Sequence, residues 1–263
     1  MKRGVFFLLF IILFFILIIV LFREYRTSTL SGKIISILPQ TITITPSDSY
    51  DKIEAAQPGD TVLIEPGIYK FRVYLDKIAT QSSPIIIKAA DPSNRPIWDL
   101  NGQNVELWPG SYTGSDNGIQ CWLVRGAYYE INGIIFTGCH TVNKAAAGIR
   151  YDQSDHITIR NILSHHNDNG LTGYGENTLI EYSEFDSNGN VQASPSTHNL
   201  YISGGSFTLR YSYVHDAVQG QNFHIRARNS TLEYNWFARA RSYEGDLMTS
   251  TLGPVPSTQT MLF

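Results

Sequence analysis

The chain has 263 residues and a formal charge of −3, with 16% of its residues charged. That length holds a terminal tail and one domain of about 200 residues. The charge balance lacks both the basic excess of a nucleic-acid binder and the acidic excess of a disordered tail, so nucleic acid is not an expected partner.

Residues 1–4 include Lys2 and Arg3, and Val5 to Phe22 contain no polar residue. The run is long enough to cross a bilayer. A cleaved signal peptide has a shorter apolar region, about 7–15 residues, followed by small residues, whereas Ile18 to Phe22 are all bulky. A soluble helix would carry a polar face. The expectation is one uncleaved transmembrane signal anchor over 5–22. Lys2 and Arg3 are balanced by Arg23 and Arg26, which leaves the orientation open. The β character of the domain suggests a periplasmic or extracellular location.

Residues 23–45 read as a linker ending in a first strand, because Thr41 to Thr45 alternate with period two. Residues 47–56 carry capping residues followed by helix formers, and Pro58-Gly59 ends them. They form the one expected soluble helix, a cap. Beyond Asp60, short β-branched runs such as Thr61-Val62-Leu63-Ile64 and Gly133-Ile134-Ile135-Phe136 alternate with Gly, Asn, Asp and Ser clusters. Many short strands and no further helix imply an all-β domain over 46–263.

Internal repetition favours a solenoid over a sandwich. Small residues precede successive strands at Gly133, Asn161, Ser183, Ser212 and Asn235, at intervals of 28, 22, 29 and 23. Thirteen residues before each marker after the first, another strand starts, at Gly148, Gly170, Asn199 and Asn222. Gln120-Cys121 and Asp246-Leu247 extend this second column. Two columns at a fixed offset are what stacked coils produce. The fold class is therefore a right-handed, single-stranded parallel β-helix with an N-terminal capping helix. No cap follows Thr249, so the coil is expected to be incomplete at its C-terminal end. Cys121 and Cys139 allow one disulfide, or serve as two small buried residues. Asn167, Asn169, Asn188 and Asn190 fall in turns, where asparagine accepts left-handed geometry.

The segment from Ala55-Ala56-Gln57-Pro58-Gly59-Asp60-Thr61-Val62 to Glu65-Pro66-Gly67-Ile68-Tyr69, with Ser83-Pro84-Ile85-Ile86-Ile87 after it, resembles the opening of pectate-lyase-like β-helix proteins. Polysaccharide lyases and uronan C5-epimerases share that opening. The resemblance implies that the helix before Pro58 caps the coil and that later rungs act on an acidic polysaccharide. The signatures of polygalacturonase-type hydrolases and of alginate epimerases are absent, and no lysine follows Lys144.

If Ile149, Leu171, Leu200 and Phe223 point inward, then Arg150, Thr172, Tyr201 and His224 form an outward column, because strand side chains alternate. Arg226 falls on the same face. Proton abstraction beside a uronate carboxylate needs a cation for the carboxylate, a base and an acid. Arg226 or Arg150 suits the first role, His224 or His198 the second, and Tyr201 the third. All seven histidines lie between His140 and His224. Arg150, Asn169, Asn199, Gln221 and Asn222 are expected to bind substrate. Glu244 and Asp246 are candidates for a calcium site. Two rival readings remain: a glycoside hydrolase using Asp152, Glu244 or Asp246, and a surface solenoid that binds carbohydrate without turnover.

Overall fold

The computed structural model describes residues 38–100, 104–105, 109–111, 120–141, 145–192, 197–248 and 258–262. The apolar run at 5–22 lies outside them. Among the described residues no helix is long and apolar enough to cross a membrane. Gln40–Phe263 forms a compact unit of its own.

This unit is a parallel β-solenoid of about 7 turns. Every strand-to-strand ladder is parallel, and three faces repeat along the coil. The first face stacks β4 (Val73–Leu75), β7 (Gln120–Val124), β10 (Ala147–Asp155), β13 (Asn169–Glu181), β15 (Leu200–Arg210), β17 (Phe223–Ile225) and β20 (Gly245–Leu247). The second runs through β1 (Thr41–Ile44), β2 (Thr61–Ile64), β5 (Ile85–Ala89), β8 (Tyr129–Asn132) and β11 (Thr158–Arg160). It continues through the later halves of β13 and β15 to β18 (Asn229–Glu233) and β21 (Thr258–Leu262). The third stacks β3 (Ile68–Tyr69), β6 (Ile97–Asp99), β9 (Ile135–Thr137), β12 (Leu163–His165), β14 (Glu184–Asp186), β16 (Tyr213–His215) and β19 (Trp236–Ala238).

The alternating burial of these strands turns their Ile, Leu, Val and aromatic residues inward, and one continuous apolar core fills the coil. Trp98 and Trp122 meet edge to face at 4.8 Å, with Tyr69 stacked on Trp98. Cys121 and Cys139 are fully buried and joined as a disulfide, with Cα atoms 6.0 Å apart. The helix α1 is confined to Tyr50–Glu54, shorter than expected, and it buries Ile53.

Two details of the expected register are corrected. The residues aligned at the corner between the second and third faces are Gly133, Asn161, Tyr182, Tyr211 and Tyr234, all with φ between 50° and 78°. Ser183, Ser212 and Asn235 lie one place further on. In the later rungs the left-handed turn is taken by an exposed tyrosine, not by the small residue that follows it. The serine hydroxyls instead face inward and donate to backbone carbonyls, Ser183 to Glu181 and Ser212 to Arg210. On the first face, Trp122 rather than Cys121 aligns with Ile149, and Gly245 rather than Leu247 aligns with Phe223.

Buried amides join the rungs. Asn167 Nδ2 donates to Asn188 Oδ1, Asn188 Nδ2 to Asn199 Oδ1, and Asn199 Nδ2 to Asn222 Oδ1, at 2.7–3.0 Å. Asn222 Nδ2 then donates to Glu244 Oε2. Each amide satisfies the next in an interior where an unpaired polar group would be costly.

Candidate active site

The ladders of the first face place Arg150, Thr172, Tyr201, His224 and Asp246 in one outward column. The column follows from alternation. The residues on either side of Arg150, Thr172, Tyr201 and His224, such as Leu200 and Ile202 around Tyr201, are buried, so the member between them turns outward. These five residues border a cavity of about 740 Å³, lined also by Asn169, His198, Gln221, Arg226, Arg241 and Tyr243. Three guanidiniums, those of Arg150, Arg226 and Arg241, face it against a single carboxylate, Asp246.

Three rings form its wall. His198 and His224 stack with centroids 5.1 Å apart, and Tyr201 lies 5.8 Å from the first and 5.4 Å from the second. His198 is held by its neighbours. Its backbone N–H donates to Asn169 Oδ1 at 2.8 Å, and its Nδ1 accepts the Gln221 backbone N–H at 3.2 Å. That bond assigns the remaining ring proton to Nε2 in the neutral form. Burial, with His224 alongside, pushes its pKa down to about 4.

Arg226 Nε donates to His224 Nε2 at 3.0 Å, which leaves the His224 proton on Nδ1. Nδ1 makes no hydrogen bond among the described residues, although Asp246 Oδ2 lies 3.4 Å away. Burial and the Arg226 charge lower the His224 pKa, and Asp246 opposes them. Both imidazoles are therefore held toward their neutral forms near pH 7.

Four of the ten buried side-chain polar atoms that lack a hydrogen-bond partner among the described residues belong to lining residues. They are Arg150 Nε, Thr172 Oγ1, Gln221 Oε1 and His224 Nδ1. Native interiors leave few polar groups unpaired. Their clustering along one wall singles this cavity out as the candidate site.

The remaining expected residues fall elsewhere. Asn199 and Asn222 are fully buried with their amides committed to the ladder, which removes them from contact with a substrate. Asn169 lines the cavity, but its amide is spent on Ala146 and on positioning His198. Asp152 is buried against Arg125 at 2.6 Å and is not among the lining residues. Arg241 and Tyr243 went unread in the sequence. The polar run from Arg239 to Glu244, directly ahead of Asp246, was their available signal.

Calcium does not fit the residues expected to hold it. Glu244 accepts from Asn222 and from the Ala240 N–H, so only Asp246 of that pair faces the cavity. Another acidic and imidazole group exists on the third face, where Asp186, His215 and Asp216 bring ligand atoms within 4.8 Å of one another. The Arg239 guanidinium already binds Asp216 there, with Nη2 3.3 Å from His215 Nδ1. A guanidinium in that position opposes a second cation.

No protein-family model matches the chain, and no curated protein matches it in sequence. Solved structures do match. Pectate lyase Pel9A superposes with a TM-score of 0.59 at 16% identity, covering 79% of this chain and 57% of its own. The PL6 family polysaccharide lyase Pedsa3628 from Pseudopedobacter saltans gives 0.53 at 18% identity, covering 76% of this chain and 47% of its own. The chain thus spans about half the length of these two structures. With the register and the three repeating faces, the likeness identifies the fold as that of the pectate-lyase-like parallel β-helices.

Proposed function

We propose that this protein is an extracytoplasmic enzyme that cleaves an acidic polysaccharide by β-elimination at a uronate residue, tethered through the apolar run at 5–22. The observation that carries this reading is the cavity on the first face, where three guanidiniums face a single carboxylate beside two imidazoles held toward their neutral forms and a tyrosine.

In this reading Arg226, with Arg150, binds the sugar carboxylate and stabilises the negative charge that builds up as the neighbouring C5 proton leaves. Arg226 Nε occupies the lone pair of His224 Nε2. A carboxylate that draws the guanidinium away frees that lone pair beside the bound sugar, so recognition and activation of the base are one movement. His224 then takes the C5 proton, the electron pair forms the C4–C5 double bond, and the C4–O bond breaks. Tyr201 protonates the departing oxygen. His198 is a positioning residue, stacked on His224 and kept neutral by burial.

A glycoside hydrolase needs two working carboxyl groups. Among the described residues only Asp246 lines the cavity, since Asp152 and Glu244 are engaged elsewhere. This favours elimination over hydrolysis. A C5-epimerase shares the first proton transfer, and the product distinguishes the two. Incubation with alginate, pectate and glycosaminoglycan, followed by ultraviolet absorbance, should give the unsaturated product with at least one of them. Altered uronate composition without unsaturation would identify an epimerase. Neither change with any substrate would refute the proposal.

A further inference from the structure

A second recess lies at the corner between the second and third faces, away from the Tyr201 and His224 column. Its volume is about 470 Å³, and Lys88, Pro92, Arg95, Asn132, Asn161 and Tyr182 line it. The register explains why it exists. Lys88, Asn132, Arg160, Glu181, Arg210 and Glu233 occupy one column of the second face. From Arg160 upward the column is a chain of ion pairs: Arg160 with Glu181 at 3.3 Å, Glu181 with Arg210 at 2.7 Å, and Arg210 with Glu233 at 4.0 Å. Below Arg160 it becomes an amide, Asn132, and then an exposed lysine, Lys88, with no ion pair among the described residues.

The adjoining corner column changes at the same level. Tyr234, Tyr211 and Tyr182 stack with centroids 5.3 and 5.1 Å apart and planes 4° and 11° from parallel. The stack ends at Tyr182, because the next rungs carry Asn161 and Gly133. Asn161 Nδ2 is drawn toward Asn132 Oδ1 at 3.0 Å. Rungs repeat at about 4.8 Å, so the loss of two rings leaves roughly 10 Å beside the outer face of Tyr182. Arg95 overhangs this gap, with Nη1 donating to the Asn161 carbonyl at 2.9 Å. It forms no ion pair among the described residues, and Glu184 is the carboxylate whose field it feels.

We propose that this recess is a second binding site for an anionic sugar chain, in which a pyranose ring stacks on Tyr182 in place of the missing rung while its carboxylate meets Arg95 and Lys88. An aromatic face presents an apolar surface to the C–H side of a sugar, and two cations that form no ion pair among the described residues supply the charge complement. The site would hold a polymer at a point remote from the cavity. The proposal takes its ligand class from the acidic polysaccharide reading, but its test is separable from that reading.

Binding of alginate and of polygalacturonate is measured by affinity electrophoresis and calorimetry. The proteins are the full chain, Arg226→Ala, the corner variant Tyr182→Asn/Arg95→Gln, and all three substitutions together. Asparagine keeps the left-handed backbone at position 182, and matched melting curves verify folding. Arg226→Ala should retain binding of at least one polymer, and adding the corner substitutions should weaken it at least tenfold. The corner variant alone should lose affinity for polymer while keeping its turnover of short oligomers. If the corner variant binds polymer as wild type does, or if Arg226→Ala abolishes all binding, the second site is refuted while the elimination reading stands. Corner-dependent binding without any unsaturated or epimerised product would keep the site and overturn the elimination reading. No binding of either polymer by any protein refutes the site.

Discussion

Two outward columns cross the same rungs of this coil and differ in how they spend their polarity. On the second face, Arg160, Glu181, Arg210 and Glu233 neutralise one another through successive ion pairs. On the first face, Arg150, Thr172, Tyr201, His224 and Asp246 border a cavity where three guanidiniums meet one carboxylate and four buried polar atoms lack partners among the described residues. Both columns are rich in charge and strand-compatible residues, so composition does not separate them. Satisfaction does. Among the described residues the second-face column has one buried unpartnered atom, Arg160 Nε, whereas the first-face column has three, on Arg150, Thr172 and His224, which makes it the better candidate for a ligand surface.

The largest effect expected from this contrast is at His224. Replacing it with alanine should lower kcat on the responsive polyuronate by about 10²–10⁴-fold, the range for loss of a general base, with the melting temperature little changed. Arg226→Ala comes next. It removes a charged hydrogen-bonding partner of the carboxylate, worth about 1.5–3 kcal/mol, or roughly 10–150-fold in kcat/KM. Equal activity in either variant and wild type would erase the distinction between the columns.

His198 tests the electrostatics of the same wall. Its folded pKa, about 4, lies below its ordinary 6.5, so the unfolded chain takes up the proton first as the medium is acidified. Stability should be fully present above pH 6.5 and decline as pH falls toward 4, and His198→Asn should flatten part of that slope in denaturant titrations. The smallest effect is expected on the paired column. Arg210→Ala breaks contacts to Glu181 and Glu233 at a half-exposed position and should change stability by no more than about 1 kcal/mol, with unchanged activity.

The two columns were also unequally legible in the sequence. The inward run Ile149, Leu171, Leu200, Phe223 could be read because hydrophobic alternation is a local signal, and it carried Arg150, Tyr201 and His224 to the correct face. Asp246 was harder. Its strand enters the ladder two residues earlier than apolar matching implies, with Gly245 opposite Phe223, since a glycine leaves no hydrophobic mark. The corner tyrosines were missed for a related reason. Left-handed turns favour Gly and Asn, and nothing local predicts that Tyr182, Tyr211 and Tyr234 take that conformation while stacking on one another. The place of Asn199 and Asn222 in the buried ladder had the same character, because whether an asparagine faces substrate or interior depends on the rung above it.

The central claim is that the first-face column performs proton abstraction from an acidic sugar. Its most direct test is ultraviolet absorbance of the reaction products from wild type and His224→Ala incubated with polyuronates. The account predicts unsaturated product from wild type and almost none from the variant. Reducing ends without unsaturation, or the same unsaturated product at the same rate from both proteins, would contradict it.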